Sequence, residues 1–276
     1  MEYDLKNGKK LNFDHVYIMG IVNVTPDSFY PGSRIKKDKL IDIVSKMIND
    51  GAEIIDVGGE STRPGAEEVP LDEELNRVVP VIETIKKNFD VIVSVDSYKS
   101  KVADESLKVG ADIVNDISAL RFDKNMVNVI RKFDCPVILM HMKGTPKDMQ
   151  KNPYYEDPVL EIYEFLKERI EFAKRNGIEK IIIDPGIGFG KRLTDNLLII
   201  KNLSKFKELG YPILLGASRK SMIGTILDLP VEERLEGTLA ITAIGVVNGA
   251  DIIRVHDVRE NYKAVKVAEA IKNAVR

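Results

Sequence analysis

Short, almost wholly apolar runs recur along this chain at residues 16–19, 54–57, 91–95, 113–114, 137–140, 181–183, 213–215 and 252–255. Continuous β-branched runs of this length suit parallel strands that are covered on both faces. The segments between them are amphipathic. Residues 40–50 carry a helical period and stop at Gly51. Residues 72–87 open with acids and close with lysines, the order that a helix dipole favours. Residues 157–175 form the longest such stretch and stop at Gly177. Eight strands alternating with helices at intervals of roughly 20–45 residues fit a closed barrel better than an open sheet. The expectation is an α/β fold, a (β/α)8 TIM barrel, in one domain spanning residues 1–276 with its core at about 16–274.

Composition narrows the function classes. Hydrophobic residues make up 44% of the chain and charged residues 30%, an ordinary globular balance. The net charge of −2 argues against a general nucleic-acid or membrane surface, while leaving room for a local cationic pocket. No apolar run approaches the ~20 residues needed to cross a bilayer, and the N-terminus has no apolar core of signal length. The one cysteine, Cys135, excludes an internal disulfide and reads as a small core residue ahead of a strand. A reducing cytoplasm fits.

In a barrel of this kind the C-terminal strand ends surround one opening, so polar residues there converge. This chain places them at almost every exit: Asp56, Asp96, Asn115 with Asp116, His141, Asp184, Gly216 followed by Ser218, Arg219 and Lys220, and Arg254 with His256. One aspartate at a strand end is more often a helix cap; the repetition points to a ligand. The acids have no histidine or cysteine cluster beside them, which excludes zinc and iron chemistry. They suit either a hard cation that phosphates help to hold, as Mg2+ is held, or the N–H donors of a heterocycle. Arg254 and His256 alternate along one strand and share a face, which gives an anion planar donors. Arg63 and Lys220 add positive charge. Met140 and Phe189 offer apolar surface to a flat ring, although either alone reads as core. His141 alone reads as a satisfied buried residue. A plain turn explains the glycines of 184–190 as well as close ligand approach does. Two connections, 23–33 and 58–66, are long and rich in Gly and Pro; both follow strands and read as lids over the same face. The ligand described by these residues is a flat, donor-bearing ring joined to an anion, a diphosphate with Mg2+.

The stretches Asn23-Val-Thr-Pro-Asp-Ser-Phe29, Asp56-Val-Gly-Gly-Glu-Ser-Thr-Arg-Pro-Gly-Ala66, Asp184-Pro-Gly-Ile-Gly-Phe-Gly-Lys191, Ser218-Arg-Lys-Ser221 and Arg254-Val-His-Asp257 resemble the dihydropteroate synthase family. The likeness runs from about residue 16 to 258, with the motifs in family order. It implies a transferase of folate biosynthesis, and a sulfonamide target, that joins 6-hydroxymethyl-7,8-dihydropterin diphosphate to p-aminobenzoate and releases diphosphate. It also implies Mg2+, a homodimer in the cytoplasm, and small-molecule substrates with neither nucleic acid nor membrane as partner. Carried onto this sequence, the resemblance makes Asn23 a ligand of Mg2+. Asp96, Asn115, Asp184 and Lys220 hold the pterin, with Met140 against its ring and Gly216 in the same bed. Arg254 and His256, with Asn23, receive the diphosphate. Thr62, Arg63, Phe189 and Ser218 flank the aminobenzoate. Asp96, Lys220, Arg254 and His256 are the expected catalytic group. Two other readings share the barrel: a pterin-binding methyltransferase that serves a corrinoid, and a silent paralogue that binds pterin without turnover. The Ser-Thr-Arg-Pro loop and the two cationic strand exits weigh against the first, and the intact motif set against the second.

Overall fold

The structure, a computed structural model, describes residues 1–24, 34–61 and 65–274. The chain opens with an antiparallel hairpin, β1 (Tyr3–Asp4) and β2 (Lys10–Leu11). The next eight strands are β3 (Tyr17–Asn23), β4 (Ile54–Gly58), β5 (Ile92–Asp96), β6 (Ile113–Asp116), β7 (Val137–Met140), β8 (Ile181–Asp184), β9 (Leu214–Leu215) and β10 (Ile252–Val255). They pair in parallel in the order β8-β7-β6-β5-β4-β3-β10-β9. A parallel bridge between Ile183 and Ile213 brings β8 back to the start of β9, so the ring nearly closes. This is the (β/α)8 barrel that the spacing of apolar runs predicts.

The helices described are α1 (Arg34–Asn49), α2 (Leu71–Asn88), α3 (Ser100–Lys108), α4 (Met126–Phe133), α5 (Pro158–Arg175), α6 (Leu193–Lys201), α7 (Leu203–Phe206), α8 (Ser221–Leu227), α9 (Leu235–Val247) and α10 (Val258–Lys272). Local chemistry sets their ends. Asp157 caps α5, its carboxylate accepting the Val159 and Leu160 N–H groups at 3.0 Å each, with Pro158 in the first turn, where its missing donor is not needed. Helix α2 carries Asp72, Glu73 and Glu74 in its first turn and Lys86 and Lys87 in its last. Helix α1 begins at Arg34, several residues before the helical period read from Leu40 onward.

The strand pleat explains why the runs are apolar on both faces. One set of side chains, Tyr17, Met19, Ile54, Ile92, Ile113, Ile138, Ile182, Leu214 and Ile252, meets inside the barrel. The alternate set, including Ile18, Ile55, Val93, Val114, Leu139, Ile183, Leu215 and Ile253, packs into the core shared with the helices. Tyr3, Leu5 and Leu11 from the hairpin join the inner cluster, and Phe13 packs against it. The hairpin therefore plugs the N-terminal end of the barrel, and the Tyr3 hydroxyl donates to the Ile181 carbonyl at 2.7 Å. The buried interior thus starts well before residue 16. Three apolar residues scattered among polar ones carry no period by which the sequence could announce it.

Candidate active site

On every inner strand but β3, where Met19 is followed by Ile21, the pleat returns a polar side chain, a glycine or a thioether two residues beyond the inner apolar position, one layer nearer the C-terminal mouth. Ile54 is followed by Asp56, Ile113 by Asn115, Ile138 by Met140, Ile182 by Asp184, Leu214 by Gly216 and Ile252 by Arg254. Ile92 is followed by Ser94 and, one step further, Asp96. The apolar layer is the floor, and the next layer is a ring of acids, an amide, a thioether and one guanidinium. Ladder register puts Asp96 opposite Asn115 and Met140 opposite Asp184.

Arg254 sits at the centre of this ring. Its Nε donates to Asp56 Oδ2 at 2.6 Å and its Nη2 to Asp96 Oδ2 at 2.6 Å. Asn115 Nδ2 donates to the same Asp56 oxygen at 3.3 Å. Asp56 is fully buried, so the guanidinium compensates a charge that water cannot reach. Burial pushes Asp96 up to about 7, against the lowering pull of Arg254. Burial also raises Asp184, while the Gly186 N–H, donated to its Oδ1 at 2.7 Å, and the nearby Lys220 oppose the rise. Lys220 is pushed down to about 7 by burial, with Asp184 working the other way. Acids raised and a lysine lowered toward neutrality in one mouth are what a ligand-binding layer looks like electrostatically.

The loop after β8 supplies one wall. Lys220 Nζ donates to the Ile187 carbonyl and stands 4.1 Å from the Phe189 ring centroid. Phe189 and Tyr98 pack against a buried cluster of Ile117, Met140, Met142 and Met149. This apolar wall faces the polar ring. The loop is fixed from beneath by the buried Lys191, whose Nζ donates to the Gly186 carbonyl at 2.7 Å and the Phe189 carbonyl at 3.0 Å and lies 2.9 Å from His141 Nδ1. Burial, with Lys191 adding to it, holds the His141 imidazole well below its usual range. His141 is thus the satisfied buried residue that the sequence suggests. Gly186 has φ of +69°, and a Cβ there would lie 1.9 Å from the His141 carbonyl oxygen. Here the glycine answers to backbone approach as well as to turn geometry.

At the next two exits, Ser218 Oγ lies 3.0 Å from His256 Nδ1 and accepts the His256 backbone N–H at 3.2 Å. The structure therefore gathers Asp96, Asn115, Met140, Asp184, Phe189, Gly216, Ser218, Lys220, Arg254 and His256 at one end of the barrel. Asn23 closes β3 there, exposed and opposite Gly58. Thr62 and Arg63 lie outside the described residues, as do residues 25–33 of the first expected lid. Sequence reasoning counted Asp56 among the acids suited to a cation or a heterocycle but gave it no individual place, and the structure gives it to Arg254. Sequence reasoning also grouped Arg219 with Ser218 and Lys220 as facing a ligand's oxygens, whereas the structure turns the Arg219 guanidinium to Asp257; it gave Lys191 and Asp257 no role of their own, because their partners come from distant segments. No group of three or more histidine, cysteine or carboxylate side chains able to hold a metal occurs among the described residues. A concave surface of about 740 Å³ lies on the outside between α9 and α10, away from this mouth.

The family profile described as "Pterin binding enzyme" matches residues 19–256. A dihydropteroate synthase of Clostridium beijerinckii is 51% identical over 262 residues, 94% of this chain and 95% of that protein. The chain belongs to the dihydropteroate synthase family. As a member it is a transferase of folate biosynthesis that condenses 6-hydroxymethyl-7,8-dihydropterin diphosphate with p-aminobenzoate, giving 7,8-dihydropteroate and diphosphate. Solved structures agree in fold. The Yersinia pestis dihydropteroate synthase with a sulfonamide drug complex superposes with a TM-score of 0.93 at 43% identity, covering 99% of this chain and 100% of that one. The Xanthomonas albilineans synthase with 4-aminobenzoic acid superposes with a TM-score of 0.89 at 39% identity, covering 97% of each chain. No described helix is long and apolar enough to cross a membrane.

Proposed function

We propose that the ring of inward-facing groups at the C-terminal mouth is the substrate bed of this synthase. The observation that carries the reading is the layer itself: acceptors at Asp96, Asn115 and Asp184, and donors at Lys220 and Arg254, beside the Met140–Phe189 wall. The pterin ring lies against that wall. Asp184 accepts N–H donors from the ring edge, and Lys220 donates to ring acceptors. Asp96 and Asn115 hold the opposite edge. Arg254 and His256 bind the diphosphate, and Arg63, outside the described residues, adds positive charge in this reading. The C–O bond between the exocyclic methylene and the diphosphate breaks, and its electron pair leaves with the diphosphate. The positive charge left behind spreads into the dihydropterin ring, next to the acids. The amine of p-aminobenzoate, held between Thr62, Phe189 and Ser218, forms the new C–N bond with its lone pair and then loses a proton to solvent. Fixed cations around the departing anion lower the barrier without a covalent enzyme intermediate.

Asn23 offers one exposed amide oxygen, which fits a Mg2+ ion whose other ligands are diphosphate oxygens and water. Bound there, the ion would neutralise part of the diphosphate charge. The chain's own donors, Arg254 and His256, would share that task. A homodimer is part of the same reading. It is supported by an exposed apolar face on α9 and α10, where Ile244, Val247, Val267 and Ile271 are each about half exposed or more. Sedimentation equilibrium should then give twice the chain mass of 31.0 kDa; a species of one chain mass at micromolar concentration would contradict it. The buried free thiol of Cys135 suits a reducing cytoplasm. The test of the reaction is diphosphate release from the pterin diphosphate, followed with and without p-aminobenzoate. Release should depend on the amine. Pterin binding with no amine-dependent release would leave only a pterin-binding protein.

A further inference from the structure

The segments that leave β9 and β10 carry Ser218, Lys220, Arg254 and His256, yet the two strands share only two paired positions, Ile252 with Leu214 and Ile253 with Leu215. Something beyond the ladder has to set how these exits sit against each other. Arg219, between Ser218 and Lys220, does not join the ring of acids. Its backbone takes the left-handed conformation, with φ of +54°, which disfavours a residue with a side chain. That turn lets Ser218 and Lys220 reach different partners, one at His256 and the other at Ile187. Every polar group of Arg219 is then engaged. Its N–H donates to Thr238 Oγ1 at 3.0 Å, and its carbonyl accepts Arg234 Nη1 at 3.3 Å. Its guanidinium grips Asp257 with two bonds, Nε to Oδ2 at 2.7 Å and Nη2 to Oδ1 at 2.9 Å. Its Nη1 donates to the Val231 and Glu232 carbonyls at 2.8 and 2.6 Å. Asp257 directly follows His256.

We propose that Arg219 and Asp257 form a clamp that aligns the β9 exit with the β10 exit, so that the pterin contact at Lys220 and the diphosphate contacts at Arg254 and His256 act on one ligand at once. The forked ion pair is planar and two-pronged, so it fixes angle as well as distance. A strained backbone held by five side-chain and main-chain partners is one that the surroundings over-determine. Arg219 is a positioning residue under this proposal, since its own side chain points to Asp257 and two carbonyls and not to the substrate bed. The proposal rests on the substrate bed described above.

The test uses the full chain and three ligands: the pterin diphosphate, the pterin alcohol without diphosphate, and inorganic diphosphate with Mg2+, each titrated by calorimetry. Arg219→Gly removes the grip and tolerates the left-handed backbone; Asp257→Asn weakens the grip and leaves residue 219 untouched. Misalignment penalises a ligand that spans both exits more than one that touches either alone. In both variants the pterin diphosphate should lose about tenfold or more in affinity, while each partial ligand loses less than about threefold. The double variant should be no worse than the worse single, because both changes break one contact. Arg219→Lys, which keeps the charge but not the fork, should recover only part of the loss. Equal losses for all three ligands, or a lowered melting temperature with unchanged affinities, would mean that the pair merely supports the fold and would overturn the clamp. If the wild-type chain itself fails to bind the pterin diphosphate, the substrate-bed reading falls first, and the clamp goes with it.

Discussion

Lys220 shows how one side chain links burial, titration and recognition. Burial lowers its amine to about 7, so in the empty site the charged donor prevails only below that pH. Its folded value lies below the unfolded 10.5, so the folded chain releases a proton that the unfolded chain still holds between those values. Its contribution to stability therefore rises with pH from about 7 to about 10.5 and is least favourable below 7. The pterin recognition proposed for Lys220 runs the other way, because it would use the charged donor. Affinity for the pterin should fall as pH rises above about 7, and in Lys220→Ala that fall should vanish. Fluorescence titration across the pH range checks this; an identical limb in both proteins would assign the titration elsewhere. Asp184 was legible in the sequence because it ends an apolar run, Arg254 because it interrupts one, and Lys220 because it sits with Ser218 and Arg219 in a polar group just past a strand. The Arg254 link to Asp56 and Asp96 was not, since nothing in a linear order tells which strands become neighbours across a barrel.

At the scale of elements, the loop from Asp184 to Lys191 is held by approach distances that only glycine allows. Gly186 and Gly190, at φ of +69° and +63°, face the carbonyls of His141 and Lys143, where a Cβ would lie 1.9 and 2.2 Å away. Gly186→Ala should therefore destabilise the protein by about 1–3 kcal/mol, the usual range for enforcing an unsuitable backbone conformation. It should also displace Ile187 and Phe189, weakening pterin binding. Chemical denaturation with a parallel ligand titration measures both; an alanine variant of wild-type stability and affinity would show that the loop has slack. The glycines themselves are visible in the sequence. Their reason is not, because the opposing carbonyls belong to the loop after β7. Helices α2 and α5 were legible almost to the residue, since their charged ends and the Asp157 cap are local signals.

For the whole molecule, the barrel is two layers with different tasks, an apolar floor and a polar mouth. The floor extends to the N-terminal hairpin, whose Leu11 is fully buried among the inner strand residues. Leu11→Ala should cost about 2–5 kcal/mol as a core truncation. It should leave substrate affinity nearly intact, because it lies at the opposite end from the mouth. A urea melt together with a binding titration separates the two effects; a large loss of affinity at unchanged stability would contradict the layered account. The claim on which the account turns is that Asp184 and Lys220 hold the pterin from adjacent exits. Binding of the pterin diphosphate by folded Asp184→Asn and Lys220→Ala, measured by isothermal titration against the wild-type chain, tests it most directly. Loss of one charge-assisted hydrogen bond, about 1.5–3 kcal/mol, predicts affinities weakened roughly 10-fold to 150-fold in each. Wild-type affinity in both variants would place the pterin elsewhere and contradict the account.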